Sequence, residues 1–294
     1  MQRLKLHGVL LLDKPVGPSS SAVLQAVKRL LNADKAGHAG TLDPLASGLL
    51  PLLFGEATKF AQFGLDADKE YVADVRLGAA TDSGDAEGQV LERRPVEVDE
   101  HRLAQALAQF RGTIAQVPPM FSALKHEGRP LYALARAGQT VERAARAVTI
   151  HELEPVSRDD TLLRLRIRCS KGTYVRQLAH DLGLALGTAA HLEALRRTAV
   201  GSLRLDQAVS LDDLQALGEV SRAAWLLPPE KLLEHLPRVD LAEPLAGCFL
   251  NGQAVHPQAL APGPVRVYRA ATLLGVGEGG PHGELRPARL IARA

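Results

Sequence analysis

The segment from Leu163 to Cys169 constrains the fold most, because its side chains alternate strictly between apolar and charged. Alternation with a period of two places the leucine, isoleucine and cysteine side chains on one face of a strand and the charged ones on the other. The sequence therefore predicts a β-strand in a sheet that buries one face. Three guanidinium groups on the other face would form either a solvated surface or a contact for phosphates, and the sequence leaves both open. These groups belong to Arg164, Arg166 and Arg168.

Further segments extend this sheet and add helices beside it. Residues 8–13 and 71–77 are predicted strands, and residues 101–111 and 131–136 have helical patterns. A helix should begin at Ser19 to Ser21 and carry its apolar stripe through Val27. The fold class is therefore α/β in the broad sense (α+β), a mixed and mostly antiparallel sheet with flanking helices.

Two more helix starts are predicted. Asp43 before Pro44 is a common capping arrangement, so a short helix is expected through Leu45, Leu49 and Leu50. A second helix should start after a Thr173 cap and place Arg176 in its first turn. A cation is unfavourable at the positive end of a helix dipole, so an anionic partner for Arg176 is expected.

The chain is long enough for two domains. It has 294 residues, and 46% of them are hydrophobic, which is ordinary for a folded protein. The prolines at 228 and 229 precede a change in character, with many glycines and prolines and short alternating runs such as residues 265–268 and 273–276. The predicted domains are residues 1–235 and a small all-β module at residues 236–294.

Charge and cysteine content limit the classes of function. The net charge is only +2, but residues 1–60, 61–100 and 101–150 carry +3, −7 and +5, so the charge is unevenly distributed. Such a surface is compatible with docking a nucleic acid or with solvated helix faces. The two cysteines form no metal-ligand motif, and no apolar run reaches the length of a membrane span. We expect a cytoplasmic protein without a structural metal.

Common catalytic motifs are missing from the sequence. There is no phosphate-binding glycine loop, no dinucleotide fingerprint, no zinc-protease motif and no serine-hydrolase elbow. A glycosidase with two carboxylates is harder to exclude, because its two acids need not be close in the chain. Local sequence alone favours a structural role for Asp43, as a helix cap. For His38 it leaves three roles open: a turn residue, a catalytic base or an RNA contact.

Seven blocks, taken together, resemble a known family. The segment Gly37-His38-Ala39-Gly40-Thr41-Leu42-Asp43-Pro44-Leu45-Ala46-Ser47-Gly48-Leu49-Leu50-Pro51 closely resembles the signature of the TruB family of tRNA pseudouridine synthases. Six further blocks follow the order of that family and extend the resemblance over about residues 8–205. They are Lys14-Pro15-Val16-Gly17, Gly55-Glu56-Ala57-Thr58-Lys59, Lys69-Glu70-Tyr71, Pro118-Pro119-Met120-Phe121-Ser122-Ala123-Leu124-Lys125, Lys171-Gly172-Thr173-Tyr174-Val175-Arg176 and Leu195-Arg196-Arg197-Thr198.

The resemblance implies the pseudouridine synthase fold and an activity on tRNA. Uridine 55 of the T arm would be cut from its sugar, turned and rejoined through C5, without a metal and without a cofactor. The target base lies in a folded loop, so it must be flipped out at a cost of a few kcal/mol and held against an aromatic ring. The resemblance also implies a C-terminal RNA-binding module of the PUA type, although this part matches weakly.

The resemblance assigns catalytic roles to three residues. Asp43 would act as the catalytic carboxylate, either by attacking C1′ or by removing the C2′ proton, and the sequence leaves both routes open. Arg176 matches the position of its ion-pair partner, which would keep a poorly solvated carboxylate charged. Tyr71 matches the aromatic ring that stacks on the flipped base; taken alone, it would be a core aromatic of a strand.

Five more residues match family positions around the site. Lys14, His38, Lys59 and Lys125 are expected to contact RNA, and Leu195 to lie against the base or to serve in ordinary helix packing. The basic segment at residues 115–145 is expected to be a mobile element that clamps the T arm. Phe121 stands where many relatives have tyrosine.

Two alternative functions remain open from the sequence. An RNA-binding or tRNA-folding protein with secondary catalysis would use the same surface, and a guide-RNA-dependent relative is a third alternative. The sequence has no long basic extension, which weighs against the third. The expected partner is tRNA, the chain is expected to be a monomer, and no protein partner is expected.

Overall fold

The structure is a computed structural model that describes residues 2–258 and 260–291. The last three residues of the predicted C-terminal module, 292–294, and residue 259 lie outside the described part. Within the described residues, eighteen strands and eight α-helices follow one another. The strands are β1 (Gly8–Lys14), β2 (Ala36–His38), β3 (Ala46–Phe54), β4 (Lys69–Leu77), β5 (Ala79–Thr81), β6 (Val90–Arg93), β7 (Gly112–Gln116), β8 (Lys125–His126), β9 (Arg129–Pro130), β10 (Arg146–Arg158), β11 (Leu162–Cys169), β12 (Ala190–Val200), β13 (Leu203–Arg204), β14 (Val209–Ser210), β15 (Arg238–Asp240), β16 (Gly263–Arg269), β17 (Thr272–Gly279) and β18 (Leu285–Leu290). The helices are α1 (Ser20–Leu30), α2 (Ala61–Asp66), α3 (Glu100–Gln109), α4 (Leu131–Arg136), α5 (Val175–Ala185), α6 (Leu211–Ala216), α7 (Glu219–Ala223) and α8 (Leu245–Leu250), with 3₁₀ turns at Gly55–Phe60, Leu205–Gln207 and Pro229–Leu233.

A ten-stranded sheet forms the centre of the molecule. Its order is β14-β1-β3-β12-β4-β11-β10-β7, with β2 added to β3 and β13 added to β12. The pairs β1–β14 and β3–β12 are parallel and the remaining pairs are antiparallel. This confirms the predicted mixed, mostly antiparallel sheet. The pairing of β12 with β3 on one side and β4 on the other brings three distant parts of the sequence together.

The apolar residues of the sheet pack on two sides. On one face, helices α1, α3 and α5 cover the sheet through residues such as Val27, Leu107 and Leu182. Strands β1 and β3 are also covered on the opposite face, where Leu11 and Leu53 belong to a second apolar cluster. A strand that is buried on both faces needs a continuous apolar run instead of an alternating one.

The predicted helix through Leu45, Leu49 and Leu50 is wrong, because these residues lead into and form strand β3. Burial on both faces explains the unbroken apolar run, which resembles a helix in a short window. Pro51 is tolerated in the strand because its missing N–H faces a gap in the pairing. On that side of β3, the pairing with β12 ends at Gly48 and the pairing with β2 starts at Leu52. The Pro51 carbonyl accepts a hydrogen bond from the backbone N–H of Ala39.

Several local predictions are confirmed. Helix α1 has Ser19 as its N-cap, whose side chain accepts from the backbone N–H of Ala22 at 3.2 Å. The alternating segment forms β11, between β4 and β10. Its arginines form ion pairs with carboxylates on the neighbouring strands, which favours the solvated surface over a phosphate contact. The pairs are Arg164 with Asp74, Arg166 with Glu154 and Arg168 with Glu152.

The C-terminal part is rich in β-structure, as expected. Strands β15 to β18 form a four-stranded sheet with its own apolar cluster around Phe249 and Val267. It is not purely β, because the short helix α8 packs against this sheet. One side of the sheet, through Tyr268 and Val276, joins the second apolar cluster of the central sheet. The division at residue 235 therefore stays a prediction about domains that share part of a core.

Candidate functional site

A cleft of about 740 Å³ opens where the loop before β3 meets strands β4 and β12 and the start of α5. Asp43, Tyr71, Arg176 and Leu195 all line it, although they lie far apart in the sequence. The volume lies in the range of small-molecule sites, which is about 300 to 1,000 Å³. The structure thus brings together the three residues predicted to be catalytic and one of the five predicted to contact the substrate.

Asp43 lies in the irregular segment between β2 and β3 and does not cap a helix. Two buried side chains hold this segment from opposite ends. The Ser20 hydroxyl donates to the Leu42 carbonyl and accepts from the Leu42 N–H, both at 2.8 Å. The Lys14 ammonium donates to the carbonyl of Ala46 at 2.7 Å and to that of Pro44 at 3.5 Å. Because the backbone is fixed before and after Asp43, its carboxylate has a defined place in the cleft.

The Asp43 carboxylate forms an ion pair with Arg176, with Nη2 and Oδ2 3.0 Å apart. The Asp43 side chain is 44% exposed, whereas that of Arg176 is 8% exposed. The expected poorly solvated carboxylate is therefore wrong for this structure: the arginine is the buried member, and the aspartate faces the cleft.

Arg176 has further acceptors that fix its guanidinium. It donates to the carbonyls of Ser83 at 3.1 Å and Phe121 at 2.8 Å, and its Nη1 is 3.6 Å from Oδ2 of Asp85. The Asp85 side chain is 5% exposed. One cation therefore lies between two carboxylates and two carbonyls, an arrangement that the planar, five-donor guanidinium can satisfy.

The start of α5 places Arg176 in the first helical turn, as predicted, but Thr173 is not its cap. The N-cap is Tyr174, without a capping side chain, and the Thr173 hydroxyl donates to the Ser170 carbonyl at 3.0 Å. The buried amide of Gln116 instead pairs with the Tyr174 backbone, accepting from its N–H at 2.8 Å and donating to its carbonyl at 3.1 Å. This side chain ties the start of α5 to the edge strand β7.

Tyr71 and Leu195 form the apolar part of the cleft. They lie on adjacent strands, β4 and β12, where Leu195 pairs with Ala73 and Tyr71 pairs with Arg197. Leu195 is therefore a strand residue, and the alternative of ordinary helix packing is wrong. Burial raises the pKa of the Tyr71 hydroxyl, and the attraction of Arg197 opposes this rise, so the phenol stays neutral near pH 7.

The four predicted RNA contacts occupy different surroundings. Lys14 is fully buried and supports the Asp43 segment, as described above. His38 is half-buried at the end of β2, and burial, with a further contribution from Arg197, lowers its pKa. Lys59 donates to the Glu56 carboxylate at 2.7 Å and to the Leu290 carbonyl at 2.8 Å, which links the 3₁₀ turn to β18. Lys125 is exposed on strand β8.

Residues 115–145 form the segment expected to clamp RNA. It contains the β8–β9 hairpin and helix α4, and it contributes Phe121, Tyr132 and Arg136 to the cleft. The Arg136 guanidinium lies 5.8 Å from the centre of the Tyr132 ring. The segment therefore covers one side of the cleft, while its mobility stays a prediction.

Sequence reasoning missed Ser20, Gln116 and Asp85. The first was included among possible caps, and its neighbour Ser19 took that role. Asp85 lies in a run of acidic and small residues that indicates an exposed turn. That interpretation is correct for most of the run, but the carboxylate of Asp85 turns inward and accepts from the Glu87 N–H at 3.2 Å. Only the tertiary position of Arg176 distinguishes it from its neighbours.

Two kinds of feature, a cluster of metal ligands and a membrane-spanning helix, are absent from the part of the chain that the structure describes. Within residues 2–258 and 260–291, no group of three or more His, Cys, Asp or Glu side chains is arranged to hold a metal ion. In the same part of the chain, no helix has the length and apolar character needed to cross a membrane.

Comparison with protein families gives matches over most of the chain. Residues 28–175 match the TruB family pseudouridylate synthase N-terminal domain. Residues 176–234 match a tRNA pseudouridylate synthase B C-terminal domain, and residues 237–291 match the C-terminal domain of pseudouridine synthase II TruB.

Individual relatives agree with these matches. The chain is 54% identical over 291 residues to tRNA pseudouridine synthase B of Aromatoleum aromaticum, covering 99% of this chain and 94% of the relative. It is 56% identical over 298 residues to the protein of that name from Burkholderia lata, covering 99% and 92%. Among solved structures, an H/ACA RNP bound to a substrate RNA containing 2′-deoxyuridine matches with a TM-score of 0.74 and 27% identity, covering 98% of this chain and 86% of that one.

Proposed function

Because the chain belongs to the TruB family of pseudouridylate synthases, we propose that it isomerises uridine 55 in the T arm of tRNA to pseudouridine. The observation that carries this proposal is the ion pair of Asp43 and Arg176 in a cleft shared with Tyr71 and Leu195. The relatives at 54% and 56% identity are both named tRNA pseudouridine synthase B. This favours tRNA over a guide-RNA-dependent target.

The proposed reaction begins with the target nucleotide flipped into the cleft. The Tyr71 ring offers a stacking surface for the uracil, and Leu195 offers an apolar contact beside it. Because a flipped base loses its stacking and pairing in the loop, these contacts offset part of a cost of a few kcal/mol.

Asp43 then acts on the sugar as a carboxylate. It either attacks C1′ or removes the C2′ proton to give a glycal, and on both routes the C1′–N1 bond breaks and the uracil leaves as an anion. After the base turns, C5 bonds to C1′ while the carboxylate leaves C1′ or returns its proton to C2′, and the hydrogen on C5 is lost to water. Arg176 holds the Asp43 carboxylate in an ion pair, and Asp85 with the Phe121 carbonyl keeps the guanidinium in place. We therefore assign Asp85 as a positioning residue.

Because Asp43 is partly exposed, the bound RNA would also have to exclude water from its carboxylate. The carboxylate is 44% exposed in this structure. Water that reached the sugar after its base had been cut off would attack C1′ and leave an abasic site. A bound nucleotide, together with Phe121 and Tyr132 from residues 115–145, would cover the carboxylate. The proposed clamp is therefore also the element that excludes water.

The remaining assignments concern RNA binding and the cell. We propose that the exposed Lys125 contacts the RNA backbone and that residues 236–294 form a PUA-like RNA-binding module. Lys14 and Lys59 act more indirectly, since their side-chain contacts hold the protein itself. His38 pairs with β3 through its backbone, and its imidazole stays a proposed RNA contact. We also propose that the protein works as a monomer in the cytoplasm and needs no protein partner and no cofactor.

Tritium release tests this function directly. The purified protein is incubated with an unmodified tRNA transcript that carries tritium at C5 of its uridines, and radioactivity released to water is measured. We expect about one release per tRNA, and none from a matched transcript with cytidine at position 55. Intact tRNA binding without release would contradict the proposal and favour an RNA-binding or tRNA-folding protein.

A further inference from the structure

Arg197 on β12 is an unusual core residue, because it is a fully buried arginine whose acceptors are neutral. Its side chain is 1% exposed. Among the ion pairs found in the described part of the chain, none includes Arg197. Burying a cation without a carboxylate partner is costly, so such a residue calls for an explanation beyond packing.

The guanidinium of Arg197 binds backbone carbonyls before and after Asp43, in the loop between β2 and β3 and in β3 itself. Its Nε donates to the Leu49 carbonyl at 2.8 Å, in strand β3. Its Nη2 donates to the Gly40 carbonyl at 3.0 Å, and its Nη1 lies 3.4 Å from the Thr41 carbonyl. The Gly40 and Thr41 carbonyls belong to the segment that leads directly to Asp43, and Leu49 follows it in the chain.

The same guanidinium also interacts with the Tyr71 hydroxyl. Arg197 and Tyr71 are direct partners across strands β12 and β4, so their side chains emerge on the same face. Ser20 and Lys14 also hydrogen-bond to the Asp43 loop. Arg197 differs from them because it joins that loop to the aromatic ring.

Close packing keeps Arg197 in this place. On the other side of β12 it pairs with Gly48, where a Cβ atom would come within 2.3 Å of the Arg197 carbonyl oxygen. A shift in strand register follows Arg197 directly, between Arg197 and Ala199, and such bulges redirect side chains. The backbone around the residue is thus fixed on two sides.

We propose that Arg197 is a positioning residue that sets the distance between the Asp43 loop and the Tyr71 ring, so that one bound nucleotide meets both. This inference rests on the proposed function, in which Asp43 acts on the sugar and Tyr71 holds the base of the same nucleotide. A fork of fixed donors can hold two partners at a set separation, whereas a lysine at this position has a single flexible ammonium. Arg197 therefore affects how the bound nucleotide is placed against Asp43 and Tyr71, and not how tightly tRNA binds.

Single-turnover tritium release from tRNA, with enzyme in excess, tests this role in Arg197→Lys. We expect the rate to fall by about 100-fold, as misplaced reacting groups cause, while tRNA affinity stays within about twofold. Arg196→Lys is the matched control, because Arg196 is the preceding residue on the strand, faces the opposite side and pairs with the partly exposed carboxylate of Asp13. That control should react at the wild-type rate.

Tyr71→Phe completes a double-mutant cycle. If Arg197 acts through the Tyr71 hydroxyl, the double variant should be no more than about threefold slower than the slower single variant. Effects that multiply would overturn the proposal, as would an Arg197→Lys variant with wild-type rate or with affinity lost in the same proportion. Circular dichroism and the fraction of protein that binds tRNA correct each rate for folded enzyme.

Two results separate this inference from the proposed function. If wild-type protein releases no tritium, the proposed function itself fails. If wild-type protein is active and Arg197→Lys does not fold, Tyr71→Phe alone decides, because it removes only the hydroxyl contact. We then expect a rate loss of at least about tenfold at unchanged affinity, and a wild-type rate would overturn the role of Arg197.

Discussion

At the scale of single residues, the site depends on buried polar groups that support one exposed carboxylate. Arg176 is buried, and Lys14 and Ser20 are fully or almost fully buried, while Asp43 faces the cleft. Each buried group is hydrogen-bonded, which is the condition for tolerating it in a core. The proposed catalytic carboxylate thus remains accessible to a nucleotide, while hydrogen bonds fix the backbone around it.

His38 gives a residue-scale prediction about pH. Burial and the nearby Arg197 lower its pKa below the usual 6.5, so folded protein keeps this histidine neutral when the unfolded chain already binds a proton. The resulting contribution to stability is present above pH 6.5 and lost on acidification. Lowering the pH from about 7.5 to 5.5 should therefore reduce the free energy of unfolding more in wild type than in His38→Gln.

Urea unfolding at the two pH values measures this difference. His101→Gln is the control, since His101 is exposed on α3 and should follow the wild-type dependence on pH. Equal losses in wild type and His38→Gln would contradict the expected effect of burial.

At the scale of elements, strands were predicted better than the loop that carries Asp43. The alternating pattern of β11 and the apolar run of β1 each indicate their structure locally. Strand β3 was misjudged because its burial on both faces removes the alternation, and Pro51 suggested a helix end. Local sequence cannot show that two other elements cover a strand from both sides.

The site was predictable in part, and through the family resemblance rather than through local pattern. Asp43, Tyr71, Arg176 and Leu195 do meet in one cleft. Asp85 and Arg197 were not singled out as site residues, because an acidic turn and a basic strand residue look solvent-exposed in sequence. Their burial is a consequence of the sheet order, which places β12 between β3 and β4.

The arginine surface of β11 gives an element-scale prediction about RNA. Arg166 pairs with Glu154 and is 60% exposed, so Arg166→Gln should leave tRNA affinity within about twofold. Lys125→Gln, on the segment that covers the cleft, should weaken binding and lower the slope of affinity against salt by about one.

Filter binding of tRNA at several salt concentrations measures both variants. A larger loss for Arg166→Gln than for Lys125→Gln would mean that the open face of the sheet binds phosphates. In that case the ion pairs with neighbouring strands would be replaced on binding.

At the scale of the whole molecule, the C-terminal sheet shares an apolar cluster with the central sheet. Tyr268 and Val276 pack with Leu11, Leu53 and other residues of the catalytic part, and Lys59 bonds to the Leu290 carbonyl. A continuous apolar cluster couples the unfolding of the parts that it joins. The C-terminal sheet should therefore unfold together with the rest.

Two optical probes test this coupling during urea unfolding. Trp225, the only tryptophan, reports on the part before residue 236, and circular dichroism reports on the whole chain. The two curves should coincide. Tyr268→Ala should lower the free energy of unfolding by about 3 kcal/mol on both probes, whereas Tyr132→Ala, an exposed tyrosine, should change it by about 0.5 kcal/mol or less. Two separate transitions would contradict a shared core.

The catalytic role of Asp43 is the central claim, and Asp43→Asn tests it most directly. The variant keeps the size of the side chain and removes its charge, and no helix cap is lost, because Asp43 caps none in this fold. Tritium release from tRNA is measured together with tRNA affinity, and Asp13→Asn, whose carboxylate pairs with Arg196, is the matched control. We expect release by Asp43→Asn to fall by at least about 10³-fold at nearly unchanged affinity, with the control near wild type. Release by Asp43→Asn at the rate of the control would contradict the account.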